Sequence, residues 1–407
     1  MTNRSTALLL ACLVLACAAS GAGAQTLPSE PIAFAGGRVT VGGDVSATVG
    51  SDDPGFFNFT DYEHSALRML RLNLSAAVQA GDHFALLAEL RTENVDSIVP
   101  YALYLRIRPW TSRNIDIQVG RVPPTFGAFA RRTYATDNFL IGYPLAYQYL
   151  TTLRADSLPA TLDELLQKRS TGWLVRYSVG NTALDKGVPL VSAFRWDTGA
   201  QLHASTRTNS VNATASLTVG TVSDPRFREN NGGGQTSARV EVRPVVGLVA
   251  GTSFARGPFI ADSAARAAAA PGTDDFTQTA FGADLEYSRH YYVVRVETIL
   301  SAWRVPLSKQ PGLQTSLRAA SESVEGRYKI APGLYVAARL DHVGFSEIAG
   351  SQATLPWDAP VSRLEIGGGY SIARNLLVKG SFQRNTRDGG RLVRQANQIA
   401  TQLVFWF

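Results

Sequence analysis

Apolar residues recur at mostly every second position from residue 36 to the C-terminus, which is the period of a β-strand and not of a helix. The last stretch shows the pattern most clearly, because Leu403, Phe405 and Phe407 share one face while Gln402 lies on the other. Aromatic rings next to a free carboxylate gain little free energy from exposure to water. The end of a membrane-spanning strand instead places them at the bilayer interface. The pattern therefore predicts an all-β fold.

The same alternation continues upstream, most regularly in the predicted hairpin at 361–384. Leu364 and Ile366 fall on one face, and Arg363 and Glu365 fall on the other. In water this would be a sandwich with one polar side; in a membrane it would be a sheet with its apolar side outward. Both architectures remain open at this point.

The connections between the predicted strands favour the membrane alternative, because short and long connections alternate. The short turns are expected at 80–83, 111–114, 243–244, 289–290, 331–332 and 374–375. The long ones are expected at about 50–64, 123–170, 223–234, 256–276, 301–314 and 346–360. A closed antiparallel barrel places all its long loops at one end, and a sandwich has no reason to do so.

The number of strands is predicted as about 16 to 18, each of roughly 9 to 14 residues. Eighteen is favoured if residues 196–199 form a tight turn between two strands in the poorly defined region 190–222. Sixteen stays open. The expected fold is a transmembrane antiparallel β-barrel.

The N-terminus predicts an exported protein. Arg4 precedes an apolar run from 7 to 17, and Ala22-Gly23-Ala24 matches the pattern that signal peptidase cleaves. We expect a cleaved signal peptide at 1–24, a short periplasmic segment at 25–35 and the barrel at 36–407. The alternatives are a membrane anchor, for which the apolar run is short, and lipid attachment at Cys17.

Composition excludes several classes of protein. With 45% hydrophobic residues and a mean hydropathy of -0.02, the chain is neither disordered nor built from membrane-spanning helices. Both cysteines, Cys12 and Cys17, lie in the expected signal peptide. The mature protein would therefore have no disulfide, thiolate metal site or cysteine nucleophile, and a closed hydrogen-bonded barrel is one way to stabilise it.

The C-terminal pattern of Leu403, Phe405 and Phe407 resembles the end of bacterial outer-membrane β-barrels. In that group the last strand ends in an aromatic residue that the barrel-assembly machinery reads. The resemblance implies that Phe407 is the assembly signal. It also implies a place in the outer membrane of a Gram-negative-type bacterium, in contact with outer-membrane lipid and lipopolysaccharide.

Charged residues on the predicted inward face indicate a wet interior, since an arginine facing lipid near the midplane costs roughly 2 to 4 kcal/mol. The expected lumen arginines are Arg71, Arg91, Arg106, Arg108, Arg176, Arg239, Arg243, Arg295, Arg339 and Arg363. The expected lumen acids are Glu89, Glu93, Asp116, Glu241, Asp284, Glu286, Glu297, Asp341 and Glu365. The alternative is a lattice of ion pairs that fills a closed lumen.

The predicted connection at 123–170 is too long for an ordinary barrel loop and too rich in aromatic residues to stay in solvent. It resembles the third loop of porins, which folds into the barrel and narrows it. The preceding stretch at 120–127, Gly-Arg-Val-Pro-Pro-Thr-Phe-Gly, resembles a strand end of phosphate-selective porins. Arg131, Arg132 and Tyr134 are then the expected constriction residues, unless the arginines pair with Asp137, Asp156 or lumen acids.

The function that we expect is a channel for passive diffusion of small hydrophilic solutes or ions. The five histidines show no metal-ligand spacing. No enzymatic activity, cofactor, metal or nucleic-acid partner is expected. A weak preference for anions follows from the net charge of +6, which the loss of Arg4 lowers by one. The porin resemblance also implies a homotrimer. The alternatives are a barrel enzyme, a surface receptor or adhesin with a blocked lumen, and a soluble binding protein of sandwich type.

Overall fold

The structure is a computed structural model that describes residues 31–60, 64–269, 276–309 and 314–407. The signal peptide expected at 1–24 lies outside these residues. Within them, sixteen antiparallel strands of 8 to 18 residues form one sheet that closes on itself. The strands are β1 (Val39–Gly50), β2 (Met69–Ala80), β3 (Phe84–Glu93), β4 (Ile98–Ile107), β5 (Ile115–Val122), β6 (Asp197–Ser205), β7 (Val211–Thr218), β8 (Gln235–Val242), β9 (Leu248–Pro258), β10 (Thr277–Arg289), β11 (Tyr292–Pro306), β12 (Gln314–Ala331), β13 (Leu334–Phe345), β14 (Val361–Ala373), β15 (Leu376–Arg387) and β16 (Gln395–Trp406).

The barrel closes where β16 pairs with β1. Leu403 lies opposite Ala47 and Phe405 opposite Val45. The two strands continue this pairing to the last residue, because Phe407 N–H donates to Gly43 O at 3.0 Å and Gly43 N–H donates to Phe407 O at 3.1 Å. Closure satisfies the backbone groups that a free sheet edge would leave unpaired. The C-terminal aromatic residues are thus part of the seam.

The two faces of the wall differ in polarity in the way that the alternation predicts. Outward Leu300 and Ile366 are 51% and 50% exposed, whereas inward Arg339 and Glu365 are 1% and 0% exposed. A soluble protein has the inverse distribution of apolar and charged side chains. The distribution here is typical of a membrane barrel with an apolar exterior. Among the residues that the structure describes, no helix is both long and apolar enough to cross a membrane.

Short and long connections lie at opposite ends of the barrel. The short end carries turns such as 290–291, 332–333 and 374–375; the last lies where the sequence predicted it, and the other two lie one residue later than predicted. The long end carries connections such as 51–68 and 346–360.

The favoured number of eighteen strands is wrong, and the alternative of sixteen is confirmed. Asp197–Ser205 is one continuous strand, so residues 196–199 are not a turn. The region between β5 and β6 is also longer than predicted. It runs from 123 to 196, beyond the expected end at 170, and is called the long segment below. Tertiary packing prevails over local strand propensity in this region.

Small elements lie mostly in the connections. The long segment contains the helices α1 (Leu145–Gln148) and α2 (Leu162–Gln167), a 3-10 turn at Phe129–Arg131 and the paired strands Ser157–Leu158 and Val179–Gly180. The connection from β9 to β10 contains helix α3 (Asp262–Ala267). At the N-terminus, Ile32–Phe34 adds a short strand to β1, and Ala35–Gly37 forms a 3-10 turn. Glu347–Ala349 and Thr354–Pro356 pair in the connection from β13 to β14.

Candidate functional site: the barrel lumen and the long segment

The inward face of β12, β13 and β14 carries a buried cluster of one arginine and three acids. Arg339 lies 3.2 Å from Glu325, 3.0 Å from Asp341 and 2.7 Å from Glu365, measured between guanidinium nitrogen and carboxylate oxygen. Removing charges from water is costly unless each one is paired and hydrogen-bonded. Arg339 therefore holds three carboxylates together on adjacent strands.

This cluster also binds the backbone of the long segment at Gly142. Arg339 Nη2 donates to Gly142 O at 2.8 Å, and Gly142 N–H donates to Glu365 Oε1 at 2.9 Å. A Cβ atom at this position would lie only 2.4 Å from Gln383 Nε2 and 2.7 Å from Glu365 Oε2. A larger residue here would therefore have to displace the ends of these two side chains, of which Glu365 is held by Arg339.

Two further wall cations hold the same part of the long segment by its carbonyl groups. Lys379 Nζ donates to Ala135 O at 2.5 Å and to Asn138 O at 2.8 Å. Arg363 Nη1 donates to Tyr143 O at 3.1 Å. Hydrogen bonds from ionised donors are stronger than neutral ones, so these contacts fix the backbone path at 135–143.

The long segment also contacts β11 and β2. Glu297 Oε1 accepts hydrogen bonds from Ala128 N–H and from Tyr147 Oη, each at 2.7 Å. Arg71 of β2 forms an ion pair with Glu93 at 2.7 Å and donates to the Tyr143 hydroxyl. Attachments on β2, β11, β14 and β15 mean that the segment contacts well-separated parts of the inward face.

Aromatic rings of the segment pack on one another between these attachments. The Phe129 ring centroid lies 5.3 Å from that of Tyr143 and 5.1 Å from that of Tyr147. All three side chains are buried in one large apolar cluster. The segment therefore packs in an apolar cluster that it shares with the barrel wall and other connections.

Three of the residues singled out from the sequence lie together. Tyr134 Oη donates to Glu89 Oε2 at 2.6 Å. The Arg91 guanidinium carbon lies 3.4 Å from the ring centroid of Tyr101 and 5.7 Å from that of Tyr134. Arg91 Nη2 is 3.6 Å from Glu89 Oε1. The long segment and the wall strand β3 thus meet at these residues.

Arg132 forms an ion pair with a lumen acid, which is one of the alternatives that the sequence left open. Its Nη2 lies 2.9 Å from Glu286 Oε2, and the same carboxylate oxygen accepts a hydrogen bond from Arg295 Nε at 2.8 Å. The Arg131 side chain, the other expected constriction charge, lies outside the described part of the structure.

Arg106, Arg108 and Asp116 lie elsewhere, near the short turns. Arg108 Nε is 3.0 Å from Asp116 Oδ1. Arg106 and Arg108 line a cleft of about 250 Å³ together with His83 of the turn between β2 and β3. The structure does not bring these three residues to the Tyr134 contact.

Some of the residues that hold the long segment were missed or misplaced from the sequence. The contact of Lys379 with the long segment was not predicted, nor was Arg387, which donates to Gly55 O of the connection 51–68 at 2.8 Å. Both have odd numbers on β15, so extending the period of two to residue 387 would have found them. Arg176 was expected in the lumen but is exposed in the long segment, where its Nε donates to Thr182 O at 2.5 Å.

Comparison with known proteins gives information on the fold alone. No protein-family model matches the chain. No curated protein matches it either. Among solved structures, it is similar to the anion-selective porin from Comamonas acidovorans, with a TM-score of 0.56, 9% identity and coverage of 91% of this chain and 99% of that one.

Two further solved structures are similar over nearly their whole length. One is the outer membrane channel DcaP of Acinetobacter baumannii, with a TM-score of 0.54, 11% identity and coverage of 92% of this chain and 100% of that one. The other is OmpT of Vibrio cholerae, with a TM-score of 0.53, 13% identity and coverage of 93% and 100%. The apolar exterior of the closed barrel agrees with a position in the outer membrane. The chain therefore has the porin-like β-barrel fold of bacterial outer-membrane proteins.

Proposed function

We propose that the protein is an outer-membrane channel for passive diffusion of small hydrophilic solutes, and that the long segment lies in the lumen and narrows it. The observation that carries this proposal is the polar inward face, whose ionised side chains hold the segment at Gly142. The width and selectivity of a pore depend on the groups that line it.

The rival architecture is a barrel whose lumen is blocked, as in a surface receptor or adhesin. One cleft of about 250 Å³ lies near the short turns and one of about 460 Å³ lies among the long connections, and the proposed channel requires that these clefts are joined through the lumen. Single-channel recording of the purified protein in planar bilayers distinguishes the two. Discrete conductance steps support the channel, and a folded barrel without steps supports the blocked lumen.

We further propose a weak preference for anions. The chain has 39 Lys and Arg against 33 Asp and Glu, which gives +6, but many inward cations are paired with carboxylates. Mixed charges reduce the selectivity of a pore. The anion-selective porin of similar fold agrees with this sign, and the reversal potential under a salt gradient measures it.

The proposal includes no catalytic step. One contact on the inward face joins a histidine and a hydroxyl, between His203 Nδ1 and Thr214 Oγ1, which are 3.0 Å apart on adjacent strands. Asp116 lies opposite His203 on the next strand. Peptide or ester hydrolysis that is lost in His203→Gln would overturn the proposal in favour of a barrel enzyme, whereas a channel keeps its conductance in this variant.

We also propose that the barrel-assembly machinery reads the seam residues Leu403, Phe405 and Phe407, and that three barrels assemble as the porin resemblance implies. Crosslinking in native membranes tests the oligomer. A ladder ending at three subunits supports the trimer, and monomers alone contradict it.

A further inference from the structure

The long segment reaches far into the barrel through a turn at residues 135–140, called the tip below. Tyr335, the second residue of β13 after the short turn 332–333, donates its hydroxyl to Phe139 O at 3.0 Å. Ala135 packs with Leu377, the second residue of β15 after the short turn 374–375. The tip therefore lies near the end of the barrel that carries the short turns.

The side chain of Lys379, on the inward face of β15, ends at the tip. It is 1% exposed, and its Nζ donates to three backbone carbonyls, Ala135 O at 2.5 Å, Asn138 O at 2.8 Å and Leu140 O at 3.4 Å. A lysine ammonium has three N–H donors and no acceptor, so the tip supplies one oxygen for each donor. Among the residues that the structure describes, no ion pair joins Lys379 to a carboxylate. The carbonyls of the tip thus compensate its charge in place of an acid.

This arrangement differs from that of the inward arginines Arg71, Arg239 and Arg339, each of which pairs with a carboxylate. A guanidinium distributes its N–H donors over a flat fork, whereas an ammonium is a compact charge. Three oxygens of one turn that converge on a single nitrogen form a cage for a compact cation. Carbonyl cages of this kind replace the water shell of a small monovalent cation.

The tip is held in shape by hydrogen bonds of its own. The backbone N–H groups of Asp137 and Asn138 donate to Tyr134 O at 3.0 and 3.2 Å, and Asn138 Nδ2 donates to Gly142 O at 2.8 Å. Asn138 Oδ1 is buried and has no hydrogen-bond partner among the described residues, so the tip carries a further oxygen without a donor. Because these bonds do not involve Lys379, the three carbonyls should stay close together when its side chain is removed.

Apolar side chains shield the cage from water. Ala135 is buried with Leu377 and Val404 in one cluster, and Leu140 is buried with Ala337 in another. Buried carbonyls that have lost their donor destabilise the folded state. An empty cage would therefore be stabilised by a free cation that is small enough to enter it and can donate hydrogen bonds.

We propose that the tip is a binding site for a small monovalent cation of the ammonium class, and that Lys379 occupies this site with its own side chain. Lys379 is then a positioning residue, which fixes the tip against β15 as a tethered cation. The inference goes beyond the proposed channel function, because no part of it depends on conduction.

The test removes the tether and supplies a free cation. We expect Lys379→Ala to lower the midpoint temperature of thermal unfolding, measured in detergent by heat-modifiable mobility. Methylammonium chloride should raise this midpoint temperature in the variant and leave that of the wild type unchanged, because a ligand that binds only the folded state stabilises it. Tetramethylammonium chloride at equal concentration is the control salt, since its cation has the same charge but no N–H donor.

Two control variants accompany Lys379→Ala. Lys379→Met fills the same space without a charge, and its midpoint temperature should not respond to methylammonium. Lys329→Ala removes an exposed lysine from β12 and should keep the wild-type midpoint temperature. A midpoint temperature of Lys379→Ala equal to that of the wild type, or an equal response of this variant to both salts, would overturn the proposal.

If Lys379→Ala does not fold in the absence of added cation, the yield of refolding replaces the midpoint temperature. Refolding with methylammonium should then give more heat-modifiable barrel than refolding with tetramethylammonium, and equal yields would contradict the site. Single-channel recording separates this inference from the channel. A conducting wild type with an unrescued Lys379→Ala leaves the channel and overturns the cation site, whereas a rescued variant with a wild type that does not conduct leaves the cation site and overturns the channel.

Discussion

Arg339 and Glu365 lie on the adjacent strands β13 and β14, with Nη2 and Oε2 2.7 Å apart, and each also bonds to one backbone group of Gly142. One buried ion pair thus joins the wall to the long segment. The pair explains how a connection of such length keeps a fixed path against the barrel.

We expect Arg339→Gln to lower the free energy of unfolding by about 3–5 kcal/mol, because it leaves buried carboxylates without their cation. Arg108→Gln is the control. Its side chain is 40% exposed in the pair with Asp116, and its loss should cost about 0–1 kcal/mol. Urea unfolding in detergent micelles measures both, and equal midpoints would show that the Arg339 cluster does not stabilise the barrel.

Gly142→Ala should loosen the long segment. The new Cβ would clash with Gln383 and Glu365, and overpacking of this kind costs about 1–3 kcal/mol. Gly380→Ala on β15 is the matched substitution, since no atom lies within 4 Å of its Cβ position. The midpoint temperature of thermal unfolding should fall in Gly142→Ala only. An unchanged midpoint temperature in Gly142→Ala would contradict the close contact.

Phe407→Asp should reduce assembly strongly, because it places a charge at the barrel seam beside Gly43. Phe227→Asp is the comparison, since this ring lies in a connection and is 52% exposed. The yield of heat-modifiable protein in the outer-membrane fraction measures assembly. Similar yields from the two variants would be evidence against an assembly signal at Phe407.

Glu229 should make the connection from β7 to β8 sensitive to acid. Its carboxylate accepts backbone N–H groups from Asn231, Gly233 and Gly232, and these hydrogen bonds hold its pKa below the ordinary value of 4.5. A depressed pKa means that the stabilisation is present above the unfolded value and is lost as pH falls through the folded one. A carboxyl carbon NMR signal that is absent in Glu229→Gln should therefore titrate below 4.5, and a midpoint above 4.5 would refute this.

The barrel wall could be predicted from the sequence because a period of two assigns each strand residue to a face without knowledge of its partners. Arg339, Glu365 and Asp341 were placed inward for this reason, and they are inward. The turn at 374–375 followed from the same pattern, and the turn at 290–291 lies one residue after its predicted position. Polar residues at these turns, His290 and Arg374-Asn375, end the alternation.

The long segment could not be predicted in the same way. Its path depends on contacts between residues far apart in sequence, such as Lys379 with Ala135 and Arg363 with Tyr143. Strand-like stretches between 170 and 196 look locally like wall, as at Arg176, but they pack in the segment instead. Local pattern carries no information on such contacts, so the strand number was overestimated and the partners of Arg132 stayed open.

The long segment is proposed to narrow a hydrated lumen, and single-channel conductance with and without residues 128–165 measures this effect. A flexible linker replaces these residues, and the wall should still close through backbone hydrogen bonds that do not involve them. We expect the variant to form a folded, heat-modifiable barrel whose conductance exceeds that of the wild type. A folded variant with unchanged conductance, or a wild type and variant that both fail to conduct, would contradict it.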